Sequence, residues 1–164
     1  MAMNRRKFFL NGWKAGGALL GVAAAKTSWA LLQPLKSLAS SGKFKLKDAE
    51  NYKPGTAEYI TAARVWVVNP GDGKLLALSQ TCPHLGCRVP FCESSGRFEC
   101  PCHGSTYNIG GEYIKGPAPR GMDRFPIVEE NGVSFVDTTK VVRGPNHGSH
   151  VYPSDPKGPS CKEA

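Results

Sequence analysis

Two patterns of apolar and polar positions divide the chain. Residues 8–32 are mostly apolar and rich in Ala, Gly and Leu. From residue 43 the period becomes two: Phe44 and Leu46 alternate with Lys43, Lys45 and Lys47, as on a half-buried strand. Residues 64–69 and 74–79 are β-rich runs joined by Pro70-Gly71-Asp72-Gly73, a hairpin signal. Residues 125–129 and 133–137 flank Asn131-Gly132, the pair that a type I′ turn needs. No amphipathic helix of useful length follows residue 38. The pattern predicts an all-β body of short antiparallel strands over 43–142, with an irregular or extended Pro- and Gly-rich tail over 143–164.

The apolar arm predicts a membrane helix. Twenty-five helical residues reach about 38 Å, enough for a hydrocarbon core of roughly 30 Å with some tilt. Lys14 and Lys26 interrupt it, and each is placed to snorkel toward one face of the bilayer. Asn4-Arg5-Arg6-Lys7-Phe8-Phe9-Leu10 resembles a twin-arginine export signal, with Asn4 where Ser or Thr is usual. Residues 1–32 are read as signal and retained single-pass anchor; cleavage after Ser28-Trp29-Ala30 is the competing reading. Basic flanks put the N-terminus inside and the body outside. Residues 33–42 are polar and small, a tether reaching about 33–36 Å extended but only about 15 Å as a helix.

Charge sharpens this division. Net charge is +8 over 164 residues, yet the first 47 carry nine Lys or Arg and no acid. The rest carries twelve basic and thirteen acidic residues, a balance of −1. The basic excess is therefore a targeting and topology signal, and nucleic-acid binding has no support.

Chemistry concentrates between residues 82 and 107. Cys82-Pro83-His84-Leu85-Gly86-Cys87 is followed after twelve residues by Cys100-Pro101-Cys102-His103-Gly104-Ser105-Thr106-Tyr107. Thiolates mixed with imidazoles suit zinc or iron–sulfur. Zinc fingers pair Cys with Cys and His with His, whereas here each loop offers one Cys and one His. A binuclear cluster with two cysteines on one iron and two histidines on the other needs that mixture. The two motifs resemble those of the Rieske proteins of cytochrome bc-type quinol-oxidising complexes, over about residues 64–137.

The resemblance implies a Rieske fold, antiparallel sheets with an inserted cluster-binding subdomain, and a 2Fe–2S cofactor. By it, Cys82 and Cys100 hold one iron, His84 and His103 the other, and Cys87 and Cys102 form a disulfide between the loops. It gives Ser105 and Tyr107 hydrogen bonds to cluster or ligand sulfur, and makes Gly116-Pro117-Ala118-Pro119 a proline loop over the cluster's third side. The implied activity is electron transfer from quinol, with a proton, at His84 and His103. The implied partners are quinol, membrane lipid, a cytochrome b-type subunit and a c-type haem acceptor. The implied place is a bacterial cytoplasmic membrane with the cluster domain outside, and the chain would not be active alone. Two other readings are the small subunit of an arsenite-oxidase-like enzyme and a zinc-stabilised binding module. Cys92 and Cys161 are left over; they are expected to be free thiols, with a bond to each other as the alternative. His147 and His150, in the tail, are expected to be solvated.

Overall fold

The computed structural model describes residues 4–32 and 42–161 as two compact units, which divide after Leu38. The tether expected over 33–42 lies, but for Gly42, outside the described residues.

The first unit contains a single continuous helix, α1 (Arg5–Leu32). Its large apolar side chains, including Phe9, Trp13, Leu19, Leu20 and Trp29, are exposed and point in all directions around the axis. No helix among the described residues is both long and apolar enough to cross a membrane. The expected helix is present, but the sequence dilutes it with Gly12, Gly16, Gly17 and Gly21 and with Lys14 and Lys26.

The second unit is all-β, as the alternating pattern predicts. Its elements in chain order are β1 (Lys43–Lys45), β2 (Thr56–Ile60), β3 (Val65–Asn69), β4 (Leu76–Ser79), β5 (Phe91–Cys92), β6 (Arg97–Glu99), β7 (Thr106–Tyr107), β8 (Tyr113–Lys115), β9 (Arg124–Phe125), β10 (Ile127–Glu130) and β11 (Val133–Asp137). They form three antiparallel sheets, ordered β1-β11-β10, β2-β3-β4-β9 and β5-β6-β7-β8. Both sequence-predicted hairpins are present, as β3–β4 and β10–β11. At the second, Asn131 (φ 52°) and Gly132 (φ 74°) both occupy the left-handed region that a type I′ turn demands.

The sheet β2-β3-β4-β9 is the middle layer, which explains why β3 reads as a nearly unbroken apolar run. Val65 and Val67 face a core completed by Leu46, Tyr52, Ala77 and Val136. Trp66 and Val68, one residue out of phase, face a second core with Leu78, Val89, Phe98, Tyr107, Ile109 and Met122. Residues between β4 and β9 leave the middle sheet and return to it at the next strand, where Ala77 pairs with Phe125 and Leu78 with Arg124. That excursion is the inserted subdomain. An aromatic chain fixes it to the sheet: Tyr59 meets Trp66 at 4.9 Å, Trp66 meets Phe98 at 5.7 Å, and Phe98 meets Phe91 at 5.0 Å. The Trp66 indole N–H also donates to the Val89 carbonyl (3.0 Å).

The tail is irregular, but it is tied down along its length. Val142 bridges Arg124, and the carboxylate of buried Glu112 accepts the backbone N–H groups of Val151 and Tyr152 at 3.0–3.1 Å. Asn108 Nδ2 donates to the same carboxylate (2.7 Å) and to the Tyr152 carbonyl (3.0 Å). Further on, Lys157 N donates to Ser95 O, Ser160 Oγ donates to Glu99, and Cys161 is disulfide-bonded to Cys92. The expected pair of free thiols is therefore corrected. Tail and β5 turn meet closely enough for a bond that joins positions 69 apart in sequence.

Candidate metal centre

The two Cys/His loops share one backbone frame. In the first, Cys82 N–H donates to Cys87 O (2.8 Å) and Gly86 N–H to Cys82 O (3.0 Å). In the second, Cys100 N–H donates to Ser105 O (2.8 Å) and Gly104 N–H to Cys100 O (3.2 Å). Each loop opens Cys-Pro and turns at a left-handed glycine, Gly86 at φ 82° and Gly104 at φ 78°. Flanking residues pair in the same sense, Thr81 with Arg88 and Glu99 with Thr106.

Side chains then sort by depth. Cys82 and Cys100 are buried, His84 is half-buried and His103 is exposed. The two imidazoles lie 4.9 Å apart between centroids and stand nearly perpendicular, at 88°. Cys87 and Cys102 are joined in a disulfide that locks the loops together, as the resemblance implies. The sulfurs of Cys87, Cys100 and Cys102 all lie within 4.8 Å of one another, but two of the three are committed to that bond. Cys82 and Cys100 are the cysteines outside any disulfide among the described residues.

Burial pushes the Cys100 thiol up, and the neighbouring Cys82 adds to the shift. A bound metal reverses that, because coordination removes the thiol proton. Tyr107 is fully buried, with its phenol oxygen 3.2 Å from Cys82 Sγ. Burial first, and Cys82 second, raise its pKa, so it stays protonated and able to donate to a thiolate. Ser105 Oγ accepts the N–H of Ala118 (3.1 Å) and hydrogen-bonds to the Tyr107 phenol, which opposes part of the rise in the Tyr107 pKa. Two deep sulfurs and two shallower imidazoles, with hydroxyls beside them, fit a 2Fe–2S cluster of mixed ligation. The set does not have the Cys-pair, His-pair spacing of a zinc finger.

Residues 116–119 pack against the second loop. A side chain on Gly116 (φ 104°) would run into the backbone of the second loop, 2.8 Å from Ser105 N and 3.0 Å from Gly104 O. Tyr113 OH donates to the Gly116 carbonyl (2.6 Å), and Ala118 is fully buried. His147 is exposed, as expected, but it is held in place rather than loose. Its ring stacks on Tyr113 at 3.8 Å and 19°, and Nε2 lies 2.9 Å from the Ala118 carbonyl. His150 is exposed, with Nδ1 3.3 Å from Ser154 Oγ. The buried polar pair Asn108 and Glu112 that receives the tail had no sequence signal beyond its polar residues within a β-rich stretch.

Comparison with known proteins agrees with this geometry. Residues 42–126 match the family described as "Rieske [2Fe-2S] domain", beginning earlier and ending earlier than the motif resemblance. The cytochrome b6-f complex iron-sulfur subunit 2 of Synechocystis sp. is 33% identical over 124 residues, covering 65% of this chain and 69% of that one. The corresponding subunit of Chlorobaculum tepidum is 32% identical over 133 residues, with coverage of 77% and 72%. The cyanelle subunit 2 of Cyanophora paradoxa is 36% identical over 98 residues, 56% of this chain, and the match spans only 41% of its own length.

Proposed function

Because the chain belongs to the Rieske 2Fe–2S family, we propose that it is the electron-transfer subunit of a membrane quinol-oxidising complex. In this reading Cys82 and Cys100 hold one iron by thiolate, and His84 and His103 hold the other by imidazole nitrogen. One observation carries it: two imidazoles 4.9 Å apart above two buried cysteines, on loops bound by a disulfide. The cluster, when bound, supplies a one-electron acceptor, whose neutral imidazole ligands place its potential at about −150 to +300 mV as a class.

The chain's own residues supply the rest. Each ligating imidazole keeps one ring nitrogen away from iron, and that nitrogen accepts the hydrogen bond and then the proton of a quinol hydroxyl. His103, the more exposed of the two, is the better placed to meet it. Tyr107 donates to the Cys82 sulfur, and Ser105, hydrogen-bonded to the Tyr107 phenol, is the second hydroxyl assigned to sulfur, so both would favour the electron-rich state. The loop at 116–119, with Ala118 buried, excludes water from the remaining side.

The relatives are named as subunits of cytochrome b6-f complexes, and the same kind of company is proposed here. Quinol would be oxidised beside a cytochrome b-type subunit, and the electron passed to a c-type haem. Helix α1 then serves as the membrane anchor. Its hydropathy falls short for a lone span, but a helix packed among partner helices is sheltered from lipid on part of its circumference. Lys14 and Lys26 snorkel to opposite faces, and residues 4–10 direct export, placing the cluster domain outside. The tether over 33–42 would let that domain travel between quinol and haem.

Replacing His103 by Ala tests the ligand assignment. The purified full-length variant is expected to lose the visible absorption and EPR signal of a mixed-ligand 2Fe–2S centre, and its membranes to lose quinol oxidation. An intact Rieske spectrum in His103→Ala would sink the assignment.

A further inference from the structure

The tail reaches the proline loop, and one of its side chains completes that loop's hydrogen bonding. His147 Nε2 lies 2.9 Å from the Ala118 carbonyl. A carbonyl only accepts, so the bond fixes the proton on Nε2. On its other side, Ala118 donates its N–H to Ser105 Oγ (3.1 Å). One peptide unit on each side of a buried alanine is thus held, by the tail at one end and by the second cluster loop at the other.

Stacking adds a second restraint. The His147 ring lies 3.8 Å from the Tyr113 ring, nearly parallel to it, while Tyr113 OH donates to the Gly116 carbonyl (2.6 Å). His147 therefore touches the proline loop directly at Ala118 and indirectly at Gly116. The tail can impose this position because it is anchored on both sides of His147. Upstream, Gly144 N–H donates to Asp123 Oδ1 (2.9 Å) and Gly121 N–H donates to Pro145 O (2.8 Å). Downstream, Glu112 holds the N–H groups of Val151 and Tyr152.

We propose that His147 is a positioning residue for the redox site, which sets the proline loop against the second cluster loop through the Ala118 carbonyl. This rests on the reading of residues 82–107 as the cluster site. Loss of the donor frees Ala118 to move, misaligns its bond to Ser105 Oγ and disturbs the hydroxyl that supports Tyr107, itself 3.2 Å from Cys82 Sγ. Both consequences are measurable without quinol turnover.

The test compares two variants of the full-length, cluster-loaded protein. His147→Leu keeps apolar packing on Tyr113 without a donor, and His147→Gln keeps an N–H donor of similar reach. Hydrogen–deuterium exchange is followed in a peptide over 113–122 and in a core peptide over 65–79, and the reduction potential is measured by potentiometry. In the leucine variant, exchange over 113–122 is expected to rise at least tenfold with the core peptide unchanged. Its equilibrium constant for reduction should fall about threefold, roughly 28 mV at 59 mV per tenfold. The glutamine variant should restore both. Leucine and glutamine variants that behave alike, whether both like wild type or both loosened, overturn the proposal. If the leucine variant loads no cluster, the glutamine variant decides: wild-type exchange and potential support the bond, and loosening despite the retained donor refutes it. Failure of membranes that carry the wild-type protein with its partner subunits to oxidise quinol would remove the functional reading and leave the exchange result standing.

Discussion

The two cluster loops have the same backbone and different side-chain registers. Aligned on their Cys-Pro starts and left-handed glycines, His84 corresponds to Cys102, Leu85 to His103 and Cys87 to Ser105. The imidazole is thus on the third residue of one frame and the fourth of the other. The disulfide partners likewise occupy non-equivalent places, the sixth and the third. A shared turn fixes where the two buried cysteines sit, while the shift in register decides what surrounds each one. The first loop spends its last position on the disulfide and leaves Leu85 70% exposed. The second spends it on Ser105, which holds the proline loop. One loop is tied by a covalent bond, the other by that bond, a strand pair and a cover.

Breaking the disulfide should separate the two loops most clearly. In the double variant Cys87→Ser, Cys102→Ser, the closed loop of 15 residues is lost, costing about 3 kcal/mol in the chain-entropy account. Thermal unfolding measures that total. Its local effect should be unequal. The second loop keeps the β6–β7 pairing and the Ser105–Ala118 bond, whereas the first keeps an isolated bridge at Thr81 and Arg88 and the Val89 N–H bond to Gln80 O (2.8 Å). Hydrogen exchange is therefore expected to accelerate more over 82–87 than over 100–105. Equal acceleration would mean that the disulfide, and not the cover, holds both loops.

Much of this was legible because short-range rules and motif spacing carry it. Period-two alternation marked β1, β-rich runs about Pro70-Gly71-Asp72-Gly73 marked β3 and β4, and Asn131-Gly132 marked the turn between β10 and β11, since all are properties of neighbouring residues. Cys82, His84, Cys100 and His103 stood out by residue type and spacing, and the structure brings them together. The tail is irregular, as its composition predicts, but its order comes from distant partners. Nothing near His147 in sequence announces Tyr113 or Ala118, and nothing near Val151 announces Glu112. The Cys92–Cys161 bond did leave a trace. Six cysteines less two proposed ligands and one bridged pair leave two, and an exported domain permits their pairing. The Pro- and Gly-rich composition of the tail gives no sign of where Cys161 lies, and that is what hides the pairing.

Gly116→Ala acts on one loop only. The residue sits at φ 104°, and an added Cβ would press on the backbone of Ser105 and Gly104, which has no rotamer with which to yield. The strain and overlap together are expected to cost roughly 2 kcal/mol, read as a lowered unfolding midpoint in denaturant. Exchange should rise over 100–105 and 113–122 while 82–87 stays near wild type, the reverse of the disulfide variant. Loosening of the first loop to the same degree would show that the cover supports both, and the contrast between them would fail.

Tyr107→Phe is the smallest change, and it crosses from one loop to the other. Tyr107 follows the second loop on β7, yet its hydroxyl lies 3.2 Å from the sulfur of Cys82 in the first. Its ring is fully buried against Val89 and Phe98 in the same core, so phenylalanine fills the same space and creates no cavity. What goes is one donor to a sulfur that becomes more electron-rich on reduction. A net hydrogen bond of about 1 kcal/mol corresponds to roughly 40 mV for a one-electron couple, and the sign follows from which state the bond favours. The reduced state loses more, so the potential should fall while cluster content and the exchange of both loops stay unchanged. A drop in potential without loosening separates the electronic from the mechanical role of the second loop's strand. An unchanged potential would mean that the phenol does not donate to Cys82 sulfur in the loaded protein, and that the two loops are coupled only through the disulfide and the core.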